Sequence, residues 1–289
     1  MDGKDQLRRF VFEGAGVRGA VVHLDASWRG VLDRHPYPPA VQPPLGQVLA
    51  AVVLLSSTIK FEGALILQVE AQGPLRTLVA QATDRRTLRG LARWEGDVPQ
   101  GSSLHETFGA GRVVLTASAP GGERYQGVVA LEGASLSAAL ETYFAQSEQL
   151  PTRLWLAADG SRATGLLLQR LPGTSVEDDT WPRAVVLADT LRDAELLGLS
   201  AEPLLYRLFH EERVRLFDAE PVSFRCGCSR ERIEGLLRSL GPEEVDSVLA
   251  EQGVVEVTCE FCNRVYRVDA VDAAALFHEH GGGASSTRH

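Results

Sequence analysis

The sequence predicts an α+β protein that consists of a large N-terminal α+β domain, a helical linker and a small C-terminal domain. Over the first 172 residues, short β-type segments alternate with turn formers, and two helical segments interrupt them. An acidic stretch rich in turn formers follows, and all four cysteines come after it. These observations predict a core domain over residues 1–172, an acidic helical linker over 173–222, a cysteine-containing domain over 223–280 and a disordered polar tail over 281–289.

The first part of the core domain combines short strands with one apolar helix. Residues 9–13 and 20–24 are short and β-rich, whereas five prolines between residues 36 and 44 predict a loop. Residues 46–60 are apolar on almost every side, and a helix of that kind is buried on all its faces. We therefore expect this helix to lie at the centre of the core.

Apolar runs bounded by glycine and proline predict the remaining strands of the core domain. These runs are residues 63–70, 75–81, 90–94, 111–117, 125–131, 154–158 and 164–170. Residues 135–147 predict a second helix, which must end before Pro151. This mixture of strands and helices assigns the domain to the α+β class.

Two amphipathic, acidic helices are predicted in the linker. Residues 184–197 carry apolar side chains at helical spacing, and Gly198 is suited to end that helix. Ser200 can cap a second helix. The apolar residues of this second helix are Leu204, Leu205, Leu208 and Phe209. We expect both helices to dock on a neighbouring surface rather than to form a core of their own.

Short elements follow one another in the C-terminal domain. Ser229 can cap a helix over Arg230–Leu240, and Gly241 and Pro242 break it. Residues 243–251 predict a second helix that ends at Gly253. The strands 254–258 and 264–268 form a hairpin whose turn holds the second cysteine pair, and residues 272–280 predict a last short helix. A hairpin turn of this kind directs two sulfurs and several backbone N–H groups at one point.

Charge and hydropathy argue against two classes of partner. With a net charge of −9 and a pI near 5.3, the chain lacks the basic footprint that nucleic-acid binding needs. The longest purely apolar run, residues 48–55, is far shorter than the roughly 20 residues that span a bilayer. The first residues contain no apolar signal segment. We therefore expect a cytoplasmic protein that binds neither nucleic acid nor membrane.

The cysteines form two tight pairs, Cys226-Gly-Cys228 and Cys259-Glu-Phe-Cys262, with thirty residues between them. Four thiols in two such pairs are the ligand count of a tetrahedral zinc site. In a reducing cytoplasm, a metal-bound tetrathiolate is expected rather than structural disulfides. The sequence therefore predicts one Zn²⁺ per chain, with these four cysteines as its ligands.

The spacing of the cysteines leaves two interpretations of the zinc site open. Most all-cysteine zinc sites are purely structural. The C-x-C pair, however, crowds two sulfurs on a short backbone stretch, near bonding distance if the metal leaves. Arg225, Arg230 and Arg264 lie near the ligands in sequence and favour the thiolate, which is the oxidisable form of cysteine. Oxidation would remove the ligands, and a metal-dependent fold would be lost with them.

Other motifs indicate no active site. Gly14, Gly16 and Gly19 match the G-x-G-x-x-G pattern, but β-type residues follow them, whereas a dinucleotide site needs a helix there. His278 and His280 lie close to the cysteines in sequence, but four thiols already complete a tetrahedron. The sequence contains no nucleophile elbow, Walker loop or H-E-x-x-H motif. We therefore expect that the protein is not an enzyme.

Further segments of the chain resemble the heat shock protein 33 family of redox-regulated holdase chaperones. These segments, in the family's order, are residues 5–7, 122–129, 147–153, 210–212, 228–232 and 244–251. The C-x-C, thirty residues, C-x-x-C arrangement is also similar to that of the family, with no departure at the four ligand positions. The resemblance covers essentially the whole chain except the Gly/Ser-rich tail.

The resemblance implies an ATP-independent holdase that is inactive when it is reduced. In the reduced family form, zinc holds the C-terminal domain folded over the linker. Peroxide with unfolding stress, or hypochlorite, then forms two disulfides, which by position are Cys226–Cys228 and Cys259–Cys262. Zinc release unfolds the switch domain and destabilises the linker, so that a client-binding apolar surface is exposed. The active form is implied to be a homodimer that holds unfolding proteins and hands them to ATP-dependent foldases.

Two other functions stay open on the residues alone. A thiol–disulfide oxidoreductase could turn over through the C-x-C pair, although no thioredoxin-like βαβ pattern surrounds the cysteines. A structural zinc protein could act as an acidic adaptor without any redox response. Turnover with a dithiol reductant would identify the first, and zinc retention in excess peroxide would favour the second.

Overall fold

The computed structural model describes residues 5–101, 103–118, 124–173 and 179–278 of the chain. The chain forms two compact units, Met1–Arg225 and Cys226–His289. Both units combine helices and strands, which confirms the predicted α+β class. Within the described ranges, none of the helices has the length and apolar character needed to cross a membrane. The predicted tail, residues 281–289, lies outside the described residues.

Two sheets form the framework of the first unit. The strands are β1 (Gln6–Phe12), β2 (Val17–Leu24), β3 (Ala64–Ala71), β4 (Leu75–Thr83), β5 (Thr87–Trp94), β6 (Gly111–Ser118), β7 (Arg124–Ala130), β8 (Thr152–Ala158), β9 (Ala163–Arg170), β10 (Val214–Pro221) and β11 (Ser223–Phe224). One sheet has the order β10-β1-β2-β9-β8 and the other β11-β5-β4-β3-β6-β7. The short β11 runs parallel to β5, whereas the other paired strands are antiparallel.

Seven α-helices accompany these sheets in the described part of the first unit. They are α1 (Ala26–Leu32), α2 (Gln42–Leu55), α3 (Leu104–Phe108), α4 (Leu136–Tyr143), which continues as a π-helical turn over Phe144–Glu148, α5 (Thr180–Ala188), α6 (Asp193–Gly198) and α7 (Ala201–Phe209). The short helices α1 and α3 were not predicted from the sequence.

Helix α2 is the central core helix that the sequence predicts. It packs against both sheets, and every residue from 48 to 55 is buried. The helix begins earlier than predicted, because its prolines stand in the first turn, where a missing N–H costs nothing. It ends earlier too, since the hydroxyls of Ser56, Ser57 and Thr58 donate to the carbonyls of the last turn.

The G-x-G-x-x-G segment is a turn between strands, as predicted. It joins β1 to β2, and Gly14 and Gly16 have φ angles of 79° and 59°. Such left-handed conformations favour glycine because it has no Cβ. Gly19 lies within β2, so no helix follows the motif as a dinucleotide site would need.

The described part of the segment predicted as a helical linker, residues 173 and 179–222, contains three helices and a strand. The predicted helix 184–197 is split into α5 and α6, and near the break the Thr190 hydroxyl donates to the Leu187 carbonyl at 2.7 Å. Strand β10, which was not predicted, pairs with β1. The expectation that the helices dock is confirmed, because α5 to α7 bury apolar residues against the face of the five-stranded sheet opposite α2.

The second unit closely follows the predicted order of elements. It contains α8 (Arg230–Leu240), α9 (Pro242–Gln252), β12 (Val255–Thr258), β13 (Val265–Val268) and α10 (Ala270–His278). The Ser229 hydroxyl accepts the N–H of Arg232 at the start of α8, as predicted. Residues Ser223 and Phe224, which the sequence assigned to the cysteine domain, instead pair with β5 in the first unit.

Candidate metal centre

Two separate segments of the second unit bring the four cysteines together. Cys226 and Cys228 lie in the irregular stretch before α8, and Cys259 and Cys262 lie in the turn between β12 and β13. The four sulfur atoms all lie within 4.8 Å of one another, and the side chains are partly buried. The sulfur of Cys226 is 3.6 Å from that of Cys259, and the sulfur of Cys228 is 3.3 Å from that of Cys262.

Backbone hydrogen bonds fix the hairpin turn that carries the second pair. The N–H of Cys259 donates to the Arg264 carbonyl at 2.9 Å, and the N–H of Asn263 donates to the Cys259 carbonyl at 2.8 Å. Asn263 has a φ of 59°, a left-handed conformation that asparagine tolerates better than most residues. This closed turn carries both cysteines of the C-x-x-C pair, and their sulfurs lie within 4.8 Å of each other, as the sequence predicts for a hairpin turn.

The apolar core beside the cysteines is small. Its buried residues are Ile233, Leu237, Val245, Val255, Val268, Ala273 and Leu276. No buried aromatic ring contributes to it among the described residues. A core of this size stabilises a domain only marginally, so a cross-link between the two cysteine segments would contribute much of the stability.

The electrostatic surroundings differ between the thiols. Burial raises the pKa of Cys226, and it raises the pKa of Cys262 to about 12. Burial also acts to raise the pKa of Cys228, but the neighbouring hydroxyl of Tyr266 and the other thiols outweigh it and lower that pKa to about 7. Cys228 is therefore the thiol that ionises most readily of these three.

The structure separates the three arginines that the sequence singled out. Arg264 interacts electrostatically with the ionised forms of Cys228 and Cys262. Arg230 is instead paired with Asp272 at 2.7 Å and with Glu234 at 3.0 Å. Arg225 ends the first unit, where its N–H donates to the Leu88 carbonyl. Of the three, Arg264 is the one with a charge placed to favour thiolates.

Tyr266 was missed by the sequence analysis. It lies on β13 opposite Val257, and its hydroxyl oxygen is buried. The available signal was its position four residues after Cys262, on the strand that leaves the turn. The alternation of side chains along a strand could have assigned Tyr266 to one face of the hairpin. It could not have shown which face the sulfurs occupy.

The donor set fits a thiophilic metal ion. Zinc–sulfur bonds of about 2.3 Å in a tetrahedron place the sulfurs about 3.8 Å apart, and the distances between these four sulfurs lie around that value. Elsewhere in the described ranges, no other group of three or more His, Cys, Asp or Glu side chains is close enough to hold an ion. His280 and the side chain of His278 lie outside what the structure describes. The four cysteines could therefore hold one metal ion between them.

Comparison with known proteins identifies similar chains over the full length. The family model described as Hsp33 protein matches residues 5–269. The chain is 59% identical over 290 residues to the 33 kDa chaperonin of Nitrosococcus oceani, with 100% of both chains covered. It is 46% identical over 281 residues to the 33 kDa chaperonin of Methylobacillus flagellatus, with 96% of each covered.

A solved structure has the same fold. The crystal structure of the 33 kDa chaperonin (heat shock protein 33 homolog) of Thermotoga maritima matches with a TM-score of 0.83. The match covers 95% of this chain and 98% of that chain, at 21% sequence identity. At that identity the likeness concerns the fold alone.

Proposed function

The chain belongs to the Hsp33 family of chaperones, and from this membership we propose that it is a redox-regulated, ATP-independent holdase. A member of a chaperone family binds unfolded client proteins and is not an enzyme. The proposal adds that client binding is switched off in the reduced protein and switched on by oxidation. The observation that carries it is the cluster of four sulfurs within 4.8 Å.

We propose that Cys226, Cys228, Cys259 and Cys262 bind one Zn²⁺ in the reduced protein. When bound, zinc keeps the four sulfurs as thiolates and cross-links the segment before α8 to the β12–β13 turn. The small apolar core of the second unit supports a fold that depends on this cross-link. Arg264 would stabilise the negative charge that four thiolates bring.

The proposed switch is the oxidation of these four cysteines to two disulfides. We assign the bonds Cys226–Cys228 and Cys259–Cys262, as the family resemblance implies. Each bond forms from two zinc-bound thiolates with loss of two electrons. Two molecules of hydrogen peroxide would take up the four electrons, together with four protons from solvent, and become four molecules of water, while Zn²⁺ is released. Sulfurs joined in disulfides are no longer thiolate ligands, so the second unit would lose the cross-link that supports it.

The proposed client-binding surface is the apolar face that the linker covers. Residues 173–222 act in this proposal as a releasable linker, and its helices bury Leu204, Leu208 and Phe209 against the five-stranded sheet. On the sheet, Phe10 and Phe12 are buried by the same contact. Release of the linker would expose both apolar faces, and such a surface binds unfolding chains but invites aggregation if it is permanently exposed. This risk supports a surface that is covered until it is needed.

The remaining features of the proposal follow from the family resemblance. The oxidised protein is proposed to be a homodimer that hands its clients to ATP-dependent foldases. The protein is proposed to act in the cytoplasm, where cysteines are kept reduced. It is proposed to bind neither membrane nor nucleic acid, and the net charge of −9 argues against binding to phosphate groups.

Light scattering from a thermally unfolding client enzyme tests the proposed function. We expect aggregation to be suppressed by the peroxide-treated protein and not by the reduced, zinc-loaded protein. A variant with all four cysteines changed to serine is the matched control, because it cannot form disulfides. We expect this variant to have the same effect on light scattering with and without peroxide treatment.

Three results would contradict the proposed function. Equal suppression by the reduced and oxidised protein would leave a chaperone without the switch. No suppression by either, with zinc retained in excess peroxide, would favour a structural zinc adaptor. Catalytic turnover with a dithiol would favour an oxidoreductase, against which the membership of a chaperone family already argues.

A further inference from the structure

His23 is buried where the end of α6 meets the five-stranded sheet. It lies on β2 and is 8% exposed, and its Nε2 atom is 2.7 Å from the backbone oxygen of Leu199. Leu199 is the residue that ends α6. Because a carbonyl oxygen only accepts hydrogen bonds, Nε2 carries the proton and the imidazole is the donor. This contact joins the predicted core domain to the predicted linker.

The second ring nitrogen of His23 has no hydrogen-bond partner in the described part of the chain. Its Nδ1 atom is buried and makes no hydrogen bond to any group in the described ranges. In the neutral ring this atom is an unused acceptor, whereas in the charged ring it is a second donor. A buried donor without an acceptor, on a charged group, costs more than an unused acceptor on a neutral one. Protonation therefore weakens the packing between α6 and the sheet.

The charges next to His23 do not reverse this effect. Burial lowers its pKa below the ordinary value of 6.5 and is the largest influence. The Leu199 contact acts in the opposite direction, Arg162 lowers the pKa further and Asp25 raises it. Both Asp25 carboxylate oxygens, however, are already bound by the Arg162 guanidinium, at 2.5 and 3.0 Å. The carboxylate of Asp5 accepts three backbone N–H groups at the start of α1.

Among the residues that the structure describes, the other elements packed against His23 bring no free counter-charge to it. Opposite His23, β1 carries Gln6 and β9 carries Thr164, neither of which titrates. On α6, Asp193 is exposed, and the Glu195 carboxylate is paired with the guanidinium groups of Arg192 and Arg207. On α7, Glu202 is paired with an arginine of β1 at 2.7 Å.

A second contact at the same helix end does not titrate. The Arg162 guanidinium donates to the Leu197 carbonyl at 2.5 Å, while its pairing with Asp25 raises its pKa. The last carbonyls of α6 are therefore held by one permanent cation and by one histidine. Only the histidine contact changes between neutral and mildly acidic pH.

We propose that His23 makes the docking of α6 on the five-stranded sheet sensitive to mild acid. The neutral imidazole holds the Leu199 carbonyl, and its protonation releases α6. A histidine whose pKa is lowered by docking favours the docked state above about pH 6.5, and this stabilisation is lost as the pH falls below that value. The equilibrium constant for docking then falls by at most about tenfold per pH unit. If the chain is the proposed redox-regulated holdase, mild acid would make its linker easier to release.

Hydrogen exchange over residues 193–209 tests the proposal on the reduced, zinc-loaded full chain. We expect the opening equilibrium, corrected for intrinsic exchange, to rise several-fold between about pH 7.5 and about pH 5.5. His23→Gln keeps a donor for the Leu199 carbonyl but cannot titrate, so we expect its opening to change much less with pH. Both proteins keep the same four cysteines, so any acid-driven loss of metal affects them equally.

Two outcomes would overturn the proposal. One is an equal pH dependence of exchange in wild type and His23→Gln. The other, which needs no variant, is an NMR titration of the wild-type His23 ring that gives a pKa at or above 6.5. Neither measurement uses a client or an oxidant, so failure of the proposed holdase function would not affect the result.

Discussion

The rings of Phe12 and Phe209 pack edge to face, with their centroids 5.0 Å apart and their planes at 70°. Phe12 ends β1 and Phe209 ends α7, and both side chains are at most 3% exposed. Residues almost two hundred positions apart therefore share one apolar contact. This contact is central to the apolar cluster by which the linker helices cover the five-stranded sheet.

Phe209→Ala is expected to loosen the linker in the reduced protein. Removing a fully buried phenylalanine ring typically costs about 3–5 kcal/mol, since contacts are lost and a cavity is left. We expect faster hydrogen exchange in α5 to α7 and, if the linker covers the client-binding surface, partial suppression of client aggregation without peroxide. Exchange by mass spectrometry and light scattering measure the two effects.

Tyr206→Ala is the matched control for that experiment. Tyr206 lies on the same helix but is 75% exposed, so its removal leaves no cavity. We expect wild-type exchange and a fully inactive reduced protein. If Phe209→Ala also leaves both measurements unchanged, the linker contact does not control activity.

The elements that the sequence predicted well have local signals, and those that it missed depend on distant residues. Helix α8 begins and ends as predicted because Ser229 and Gly241 mark its ends. Strand β10 has mostly exposed or half-buried side chains, and its partner β1 is about two hundred residues away. Helix α1 was missed because the carboxylate that satisfies its first N–H groups belongs to Asp5, outside the helix segment.

The same distinction holds for the candidate metal centre and for the contacts of the linker helices. The four cysteines were predicted because ligand type and tight spacing are visible in the sequence. The contacts of His23 with Leu199 and of Arg162 with Leu197 were not, since each joins segments far apart in the chain through a backbone carbonyl. A carbonyl oxygen has no sequence signature, so only the folded structure shows such partners.

Cys259→Ser is expected to weaken zinc binding strongly. Structural zinc sites contribute about 10–16 kcal/mol over four ligands, so loss of one thiolate should raise the dissociation constant by roughly a hundredfold to a thousandfold. Competition with a colorimetric chelator measures this constant. Thr258→Ala is the control, because Thr258 is an exposed residue at the end of β12, directly before Cys259. Equal zinc affinity in wild type and Cys259→Ser would contradict the four-ligand assignment.

Asp5→Ala is expected to destabilise the first unit independently of any metal. The Asp5 carboxylate is 8% exposed and accepts the N–H groups of Asp25, Ala26 and Ser27. Leaving these donors unsatisfied should cost about 1–3 kcal/mol, measured as a lower urea midpoint. Asp33→Ala is the control, since Asp33 is an exposed carboxylate at the other end of α1. Similar midpoints for the two variants would show that Asp5 does not hold the helix start.

Peptide mapping of the oxidised protein distinguishes two pairings of the cysteines. In this structure short sulfur–sulfur distances join the two segments, 3.6 Å between Cys226 and Cys259 and 3.3 Å between Cys228 and Cys262. We nevertheless expect bonds within each pair, because once the second unit loosens, joining the segments must close a loop of more than thirty residues. Closing so long a loop costs roughly 2 kcal/mol more than closing one of three or four residues.

Cleavage after arginine makes the mapping decisive. It places Cys226 and Cys228 in the peptide of residues 226–230, and Cys259 and Cys262 in the peptide of residues 239–264. Bonds within the pairs leave two separate peptides, each lighter by two hydrogens. Bonds between the pairs give one covalent complex of both peptides, which reduction separates. That complex as the main product would mean that oxidation occurs on the folded unit, and it would contradict a switch that works by unfolding.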